Sequence, residues 1–225
     1  MPEKSLPNYR LMGMLRSPQE ELVPWNYREL IQGWIYKHMG SIGEQIHSAP
    51  FSLFTFSLTA PSYKITKTGI LSDTWLLRIA SAHQEVLDIL EKELAQGIEL
   101  DGTKLGAVVV TRELFTDDST LSSSPIVTFT KDTKKYQNPL LQGEEFSEAV
   151  VASLANRWKF FTGASSPEIS FSFKGQPKPR KILYKNRCLI GYEGIVELRS
   201  DPEMIRFSQC VGLGAKTSCG LGMVV

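Results

Sequence analysis

The apolar positions of the first half switch between the two periods of regular structure. In residues 24–38, PWNYRELIQGWIYKH, apolar side chains recur at Leu30, Ile31, Trp34 and Ile35. That is helical spacing, and Pro24 and Asn26 suit its start, although Gly33 weakens it a little. A second, short helix is predicted over residues 41–47, stopped by Pro50. The run LFTFSL, residues 53–58, predicts a strand, and LSDTWLLRIA, residues 71–80, predicts another. Residues 83–96 predict a helix with Val86, Leu87, Leu90 and Leu94 on one face. Valine-rich 105–114 returns to strand.

The second half repeats this logic less cleanly. PIVTFT, residues 125–130, predicts a strand, and residues 145–160 predict a helix with Phe146, Val150, Leu154 and Trp158 along one stripe at steps of four. Residues 171–173 and 181–184 predict a hairpin around the 175–179 region. Residues 191–198 are strand-like, and the stretches 210–214 and 220–225 flank a terminal loop. Strand and helix thus alternate in both halves, an α+β pattern. The division falls near residue 115, giving a unit over 1–115 and a unit over 116–225. The linker carries Asp117, Asp118 and Ser119, with Ser122 to Ser124 behind it.

Composition adds bounds. The 225 residues are 42% hydrophobic and 22% charged, ordinary for a soluble globular protein, and suffice for one large or two small cores. No apolar run is long enough for a transmembrane helix, and the start, MPEKSLPNYRLMGM, lacks the apolar segment of a secretory signal. A cytoplasmic location without membrane contact is expected. Cys188, Cys210 and Cys219 are odd in number and fit free thiols; with three histidines in all, neither a metal site nor another cofactor is expected. The net charge is +1, but residues 151–225 carry 11 basic and 5 acidic side chains, so affinity for a polyanion is concentrated there.

The chain ends in GLGAKTSCGLGMV, residues 212–224, with Gly212, Gly214, Gly220 and Gly222 around Lys216, Thr217 and Ser218. Such density suits a backbone that turns tightly or approaches a ligand closely, and consecutive amides with one lysine point to phosphate. The string matches neither a Walker loop nor a dinucleotide fingerprint. Glycines at hairpin turns are the plainer explanation. A second signal is KGQPKPRKILYKNR, residues 174–187, with six basic side chains and no acid. Phosphate contacts would explain Lys178, Arg180, Lys181, Lys185 and Arg187, with Lys181, Lys185 and Arg187 on one side of a strand and Tyr184 facing away. A solvated surface is the alternative.

The terminal string, read with RELIQGWIYKHMGSIGEQIHSAPFSLFTFSL over residues 28–58, resembles the repeat-processing endoribonucleases of CRISPR systems, within the RAMP superfamily. The resemblance covers about one-fifth of the chain. It implies tandem ferredoxin-like (RRM-like) domains with a C-terminal glycine-rich loop, and cleavage of precursor CRISPR RNA within each repeat without a metal ion. It implies a central catalytic role for His47, an assisting role for Tyr36, and RNA contact by the glycine loop. Family members often carry a lysine just before the FTFS-like strand; here that place is Ser52, a candidate auxiliary residue. The departure leaves three outcomes open: a lysine supplied from elsewhere, a weaker polar group, or a slow or inactive site.

RNA carries its own nucleophile. Its 2'-hydroxyl can attack the adjacent phosphorus, leaving a 2',3'-cyclic phosphate and a 5'-hydroxyl. Histidine side chains titrate near neutrality and can serve either proton transfer, while a cation stabilises the phosphorane. The plainer reading of His47 is a histidine at a helix end that bonds the last carbonyls; that of Tyr36 is a boundary tyrosine. Repeat RNA is the expected partner, with effector-complex subunits and a second copy of the chain as further candidates. A non-catalytic RNA-binding subunit and an unrelated anion-binding protein are the competing functions.

Overall fold

The computed structural model describes residues 5–129, 137–185 and 187–225. Thr130 of the strand expected at 125–130, Asn186 of the basic run and the first four residues lie outside them. The first half runs β1 (Tyr9–Pro24), α1 (Tyr27–His38), α2 (Gly40–Ser48), β2 (Phe54–Thr59), β3 (Lys64–Ile65), β4 (Gly69–Ser81), α3 (Gln84–Leu94), β5 (Ile98–Leu100) and β6 (Thr103–Leu114). The strands form one antiparallel sheet in the order β2-β4-β1-β6-β5, with β3 also on β4. Strand β1 falls outside the elements predicted above. Its signal was present: Tyr9, Leu11, Gly13 and Leu15 are buried at a period of two, before a polar stretch extends the strand.

Helices α1 and α3 close one face of this sheet. Ile31 and Ile35 of α1 and Val86, Leu87, Leu90 and Leu94 of α3 share a core with Leu11, Leu15, Phe54, Phe56, Leu77 and Ile79. Each such side chain contributes about 1.5–3 kcal/mol of burial free energy. The period of 3.6 on the helices and of two on the strands therefore point at the same interior.

The second half runs β7 (Thr120–Ile126), α4 (Gly143–Thr162), β8 (Ser170–Tyr184), β9 (Arg187–Arg199), α5 (Pro202–Val211) and a 3-10 turn (Thr217–Cys219). Its sheet has the order β7-β9-β8. The far side of β7 is taken by the chain end: Val224 bridges Ser123, and Ser122 and Ser124 bond Val225 and Met223. Phe146, Val150, Leu154 and Trp158 of α4 pack with Phe207 and Val211 of α5 over this sheet. The architecture is α+β, with an alternation consistent with ferredoxin-like units.

Two expectations are corrected. The hairpin expected within 171–184 is one strand, β8, whose register shifts between Lys174 and Lys178. Pro177 and Pro179 fit because β8 lies at the sheet edge, where a missing donor costs little. The strand expected at 125–130 lies earlier, and Ser122 to Ser124, taken as linker, are part of it; their polar side chains hide a backbone paired on both sides. Helix α5, which ends with Cys210 and Val211, falls outside the elements predicted above. Asp201 caps that helix by accepting from the Met204 amide at 2.8 Å, with Pro202 in the first turn. The terminal stretch 220–225 contributes the short pairing described above.

The halves meet along β2, α1 and the chain end. Leu53 and Ala82 join the second core, and Thr55 Oγ1 donates to Leu221 O at 3.3 Å. Buried Arg10 donates from Nη1 to Val224 O at 2.6 Å, while its Nε lies 3.0 Å from Glu113 Oε2. Among the described residues no helix is long and apolar enough to cross a membrane.

Candidate active site

Helix α1 buries Tyr27, Ile31, Trp34 and Ile35 against the sheet, which leaves Arg28, Gln32 and Tyr36 as a flanking stripe at steps of four. This stripe meets the terminal loop. Arg28 Nε approaches Gly220 O at 3.5 Å, Gln32 Nε2 donates to Ser218 Oγ at 3.4 Å, and the Tyr36 hydroxyl lies beside the hydroxyls of Ser218 and Ser52. Gln32 also accepts from the Tyr184 hydroxyl at 3.0 Å, tying in the end of β8.

Helix α2 brings the histidine. A Cβ on Gly43 would stand 2.7 Å from Tyr36 O, so glycine there lets α2 approach α1. His47, one turn further on, then presents its ring edge-on to Tyr36, with centroids 5.1 Å apart and planes at 72°. The helix stops at Ser48 because Ala49, preceding Pro50, is extended. His47 is exposed, and among the described residues it makes no hydrogen bond, so bonding the last carbonyls is not what its side chain does.

Tyr36, His47, Ser52, Tyr184, Lys216 and Ser218, with Gln32 and Cys219, line a cleft of about 390 Å³. Burial raises the Tyr36 hydroxyl above its ordinary range, and the neighbouring hydroxyls of Ser52 and Ser218 only partly offset this. It is therefore protonated at neutral pH, a donor rather than a base. Burial likewise raises Tyr184, and neighbouring Cys219 adds to the effect.

The glycines of the terminal loop serve the chain itself. Gly212, Gly214, Gly220 and Gly222 are buried, with φ of 75°, 76°, 74° and 66°. A Cβ on Gly220 would lie 2.6 Å from the ring of Phe56, and one on Gly222 only 1.8 Å from Leu213 O. Internal packing thus accounts for these glycines without any RNA. Thr217 is buried too, whereas Ser218 is half-buried and Lys216 exposed. Sequence reasoning missed what holds the loop. The fully buried Arg157 of α4 donates to Val211 O at 2.7 Å, Gly214 O at 3.3 Å and Thr217 Oγ1 at 3.3 Å. Burial lowers its guanidinium to about 10, still charged at neutral pH.

The basic run is not one surface. Lys178, Arg180 and Lys181 line a second, larger groove of about 1180 Å³, with Trp25, Tyr63 and Arg78. Arg180 pairs with Glu193, and Lys174 lies 3.4 Å from Glu197. Lys185 is at the β8–β9 turn, with φ of 47°, its amide bonded to Glu29 Oε1 at 2.6 Å. Because the chain reverses there, Arg187 pairs with Tyr184 and takes that residue's side of the sheet, opposite Lys181. The expected common side of Lys181, Lys185 and Arg187 does not form. Tyr184 does face inward, as expected.

Other chemistry-bearing residues are absorbed by structure. His38 Nδ1 lies 2.8 Å from Trp34 O and its Nε2 3.8 Å from Glu93. The His83 ring packs edge-on against Phe161, away from the cleft. Phe54 and Phe56 are core residues. Among the described residues no group of three His, Cys, Asp or Glu side chains is placed to hold a metal ion.

A family model described as "CRISPR associated protein Cas6, C-terminal" matches residues 112–225. Solved structures share the fold over most of the chain. One described as "CRISPR associated protein Cas6" superposes with a TM-score of 0.76 at 21% identity, covering 96% of this chain and 98% of that one. "An RAMP protein binding different RNA substrates" gives 0.79 at 19% identity, with the same coverage of each chain. A structure from work on a Cas6-related gene from Pyrococcus furiosus gives 0.78 at 19% identity, covering 96% and 97%. At these identities the likeness is one of fold. No curated protein matches the chain.

Proposed function

The chain belongs to the CRISPR-associated Cas6 family of RNA-processing proteins, and from that premise we propose a metal-independent endoribonuclease that cuts precursor CRISPR RNA within its repeats. The observation that carries the reading is the edge-on pair of Tyr36 and His47 in a cleft walled by the terminal loop. In this reading the scissile phosphate lies in that cleft. The 2'-oxygen forms a bond to phosphorus and loses its proton. The bond from phosphorus to the 5'-oxygen breaks, and that oxygen gains a proton. His47 serves one of these transfers. Tyr36, protonated at neutral pH, donates a hydrogen bond rather than removing a proton. The products are a 2',3'-cyclic phosphate and a 5'-hydroxyl, and DNA, lacking the nucleophile, is not a substrate.

The wider reading is two ferredoxin-like units, over 1–115 and 116–225, with RNA running from the cleft along basic surface. Lys185 and Arg187 at the β8–β9 turn, and Lys178, Arg180 and Lys181 in the larger groove, are its phosphate contacts. The element orders of the two halves support this division. Effector subunits and a second copy of the chain are proposed as further partners, in the cytoplasm.

Ser52 in the place of the family lysine favours a second reading, an RNA-binding subunit without catalysis. Incubating the purified chain with a repeat RNA in excess chelator separates the two. The endoribonuclease cuts each repeat once; the binding subunit retains the RNA intact.

A further inference from the structure

Deepening the function just proposed, on which it rests, we propose that Lys216 is the catalytic cation of the cleft, meeting the scissile phosphate with the positive charge that Ser52 does not supply. A phosphorane gathers negative charge on its equatorial oxygens, and a fixed cation beside it lowers the barrier most where water is partly excluded. Among the described residues lining the cleft with Tyr36 and His47, Lys216 alone carries a permanent charge. It is exposed, and among the described residues it pairs with no carboxylate. Among the described residues its charge is therefore uncommitted.

Its position is fixed by its neighbours. The Lys216 ammonium lies 5.9 Å from the centre of the Tyr184 ring. Tyr184 in turn bonds Gln32, which bonds Ser218, whose hydroxyl lies beside that of Tyr36. The backbone on either side is pinned: Ala215 N donates to Val127 O at 2.8 Å, and Cys219 N to Lys216 O at 2.9 Å. Arg157 holds Gly214 and Thr217, the residues that flank the Ala215–Lys216 pair.

The backbone conformation gives an independent argument. Lys216 has φ of 61° and ψ of 33°, the left-handed region. The same loop uses glycine at its four other positive-φ positions, Gly212, Gly214, Gly220 and Gly222. At each of these four a Cβ would strike the protein itself. Lys216 is the one position in the loop where a strained backbone carries a side chain, and that side chain opens on the cleft. Stability favours glycine or asparagine in this conformation, so a lysine there points to use of its side chain. Among the described residues, Arg28 stacks on Tyr27 and lines the larger groove, and Lys185, whose ammonium is 5.6 Å from the centre of the same Tyr184 ring, does not line the cleft.

The strain makes the test clean, because Lys216→Gly relieves it. The probe is one repeat transcribed from the source genome's CRISPR array, cut under single-turnover conditions in chelator. We expect Lys216→Gly to melt at or above the parental temperature. We expect it to bind the RNA within about threefold of the parent and to cleave about 10²-fold more slowly. Added methylammonium should restore part of the rate, and Lys216→Arg should retain more activity than Lys216→Gly; neither effect follows from a structural role. A parent that cleaves beside a Lys216→Gly variant within twofold of its rate overturns the assignment of Lys216 alone. A parent that binds the repeat without cutting it overturns the endoribonuclease reading and this assignment with it.

Discussion

The rings of Tyr36 and His47 meet edge-on at 5.1 Å although they stand on different helices, α1 and α2. The contact exists because Gly43 lets α2 pack against the last turn of α1. If this pair carries the chemistry, His47→Ala lowers the single-turnover rate by about 10² to 10⁴ while RNA affinity is largely kept. Tyr36→Phe lowers it less, since the ring packing survives and only the hydroxyl is removed. Rapid-quench cleavage and a parallel binding titration measure both. Equal rates for His47→Ala and the parent remove His47 from the mechanism.

The glycine loop is expected to fail by unfolding before it fails by losing RNA. In Gly220→Ala the new methyl meets the buried Phe56 ring at 2.6 Å on a backbone with φ of 74°. Overpacking costs about 1–3 kcal/mol and the left-handed conformation about 1 more. At about 2–4 °C per kcal/mol for a chain of this size, the melting temperature should fall by roughly 4–16 °C. Gly222→Ala, whose methyl would lie 1.8 Å from a carbonyl, should be worse. Thermal melts decide it; parental stability with weakened RNA binding would return these glycines to the RNA interface.

The residues that were hard to read from sequence are those whose role is set by chain reversal or by distant partners. The helix carrying Tyr36 was legible because Leu30, Ile31, Trp34 and Ile35 repeat at helical spacing, and both α1 and α2 fall where expected. The family resemblance then singled out His47 and Tyr36, which the fold brings together. Gln32 and Arg28 share the four-residue step of Tyr36, a signal that was available but silent until the loop was seen to lie against it. Arg157 gave no signal, since a basic residue within an amphipathic helix reads as solvent-facing. The parity argument that put Lys181 with Arg187 failed because the chain reverses between them, pairing Arg187 with Tyr184. Helix α5 was missed, although Asp201, Pro202 and Glu203 carry the ordinary signature of a capped start.

Charge should act unequally along the basic run. Neutralising Lys181, Lys185 and Arg187 together is expected to weaken binding to every RNA and to lower the salt slope by about 0.7 for each phosphate that no longer meets a cation. Neutralising Lys174 and Arg180, which already face Glu197 and Glu193, should lower it less. Fluorescence anisotropy across a salt series reads both slopes. A triple variant with the parental slope would make the β8–β9 turn and its strand a solvated surface only.

Alkaline pH should loosen the fold. Burial raises Cys210, Tyr27 and Tyr36 above their ordinary values. A group whose folded value is raised holds its proton more tightly when folded, so its contribution is complete below the unfolded value and is lost as pH rises toward the folded one. Exposed thiols and phenols ionise near about 8.5 and 10. Denaturant melts should therefore give a stability that declines from about pH 9 upward. A flat profile to about pH 11 would contradict the burial of these groups.

The most direct measurement of the central claim is the chemistry of the product ends. The purified chain is incubated in chelator with its repeat RNA, and with the same RNA carrying a single 2'-deoxy nucleotide on the 5' side of the scissile phosphate. Mass spectrometry then reads the fragments. Attack by the 2'-oxygen in the Tyr36–His47 cleft predicts one cut, a 2',3'-cyclic phosphate on one fragment, a 5'-hydroxyl on the other, and no cut in the deoxy substrate. A 5'-phosphate with a 3'-hydroxyl, or equal cutting of the deoxy RNA, would contradict it.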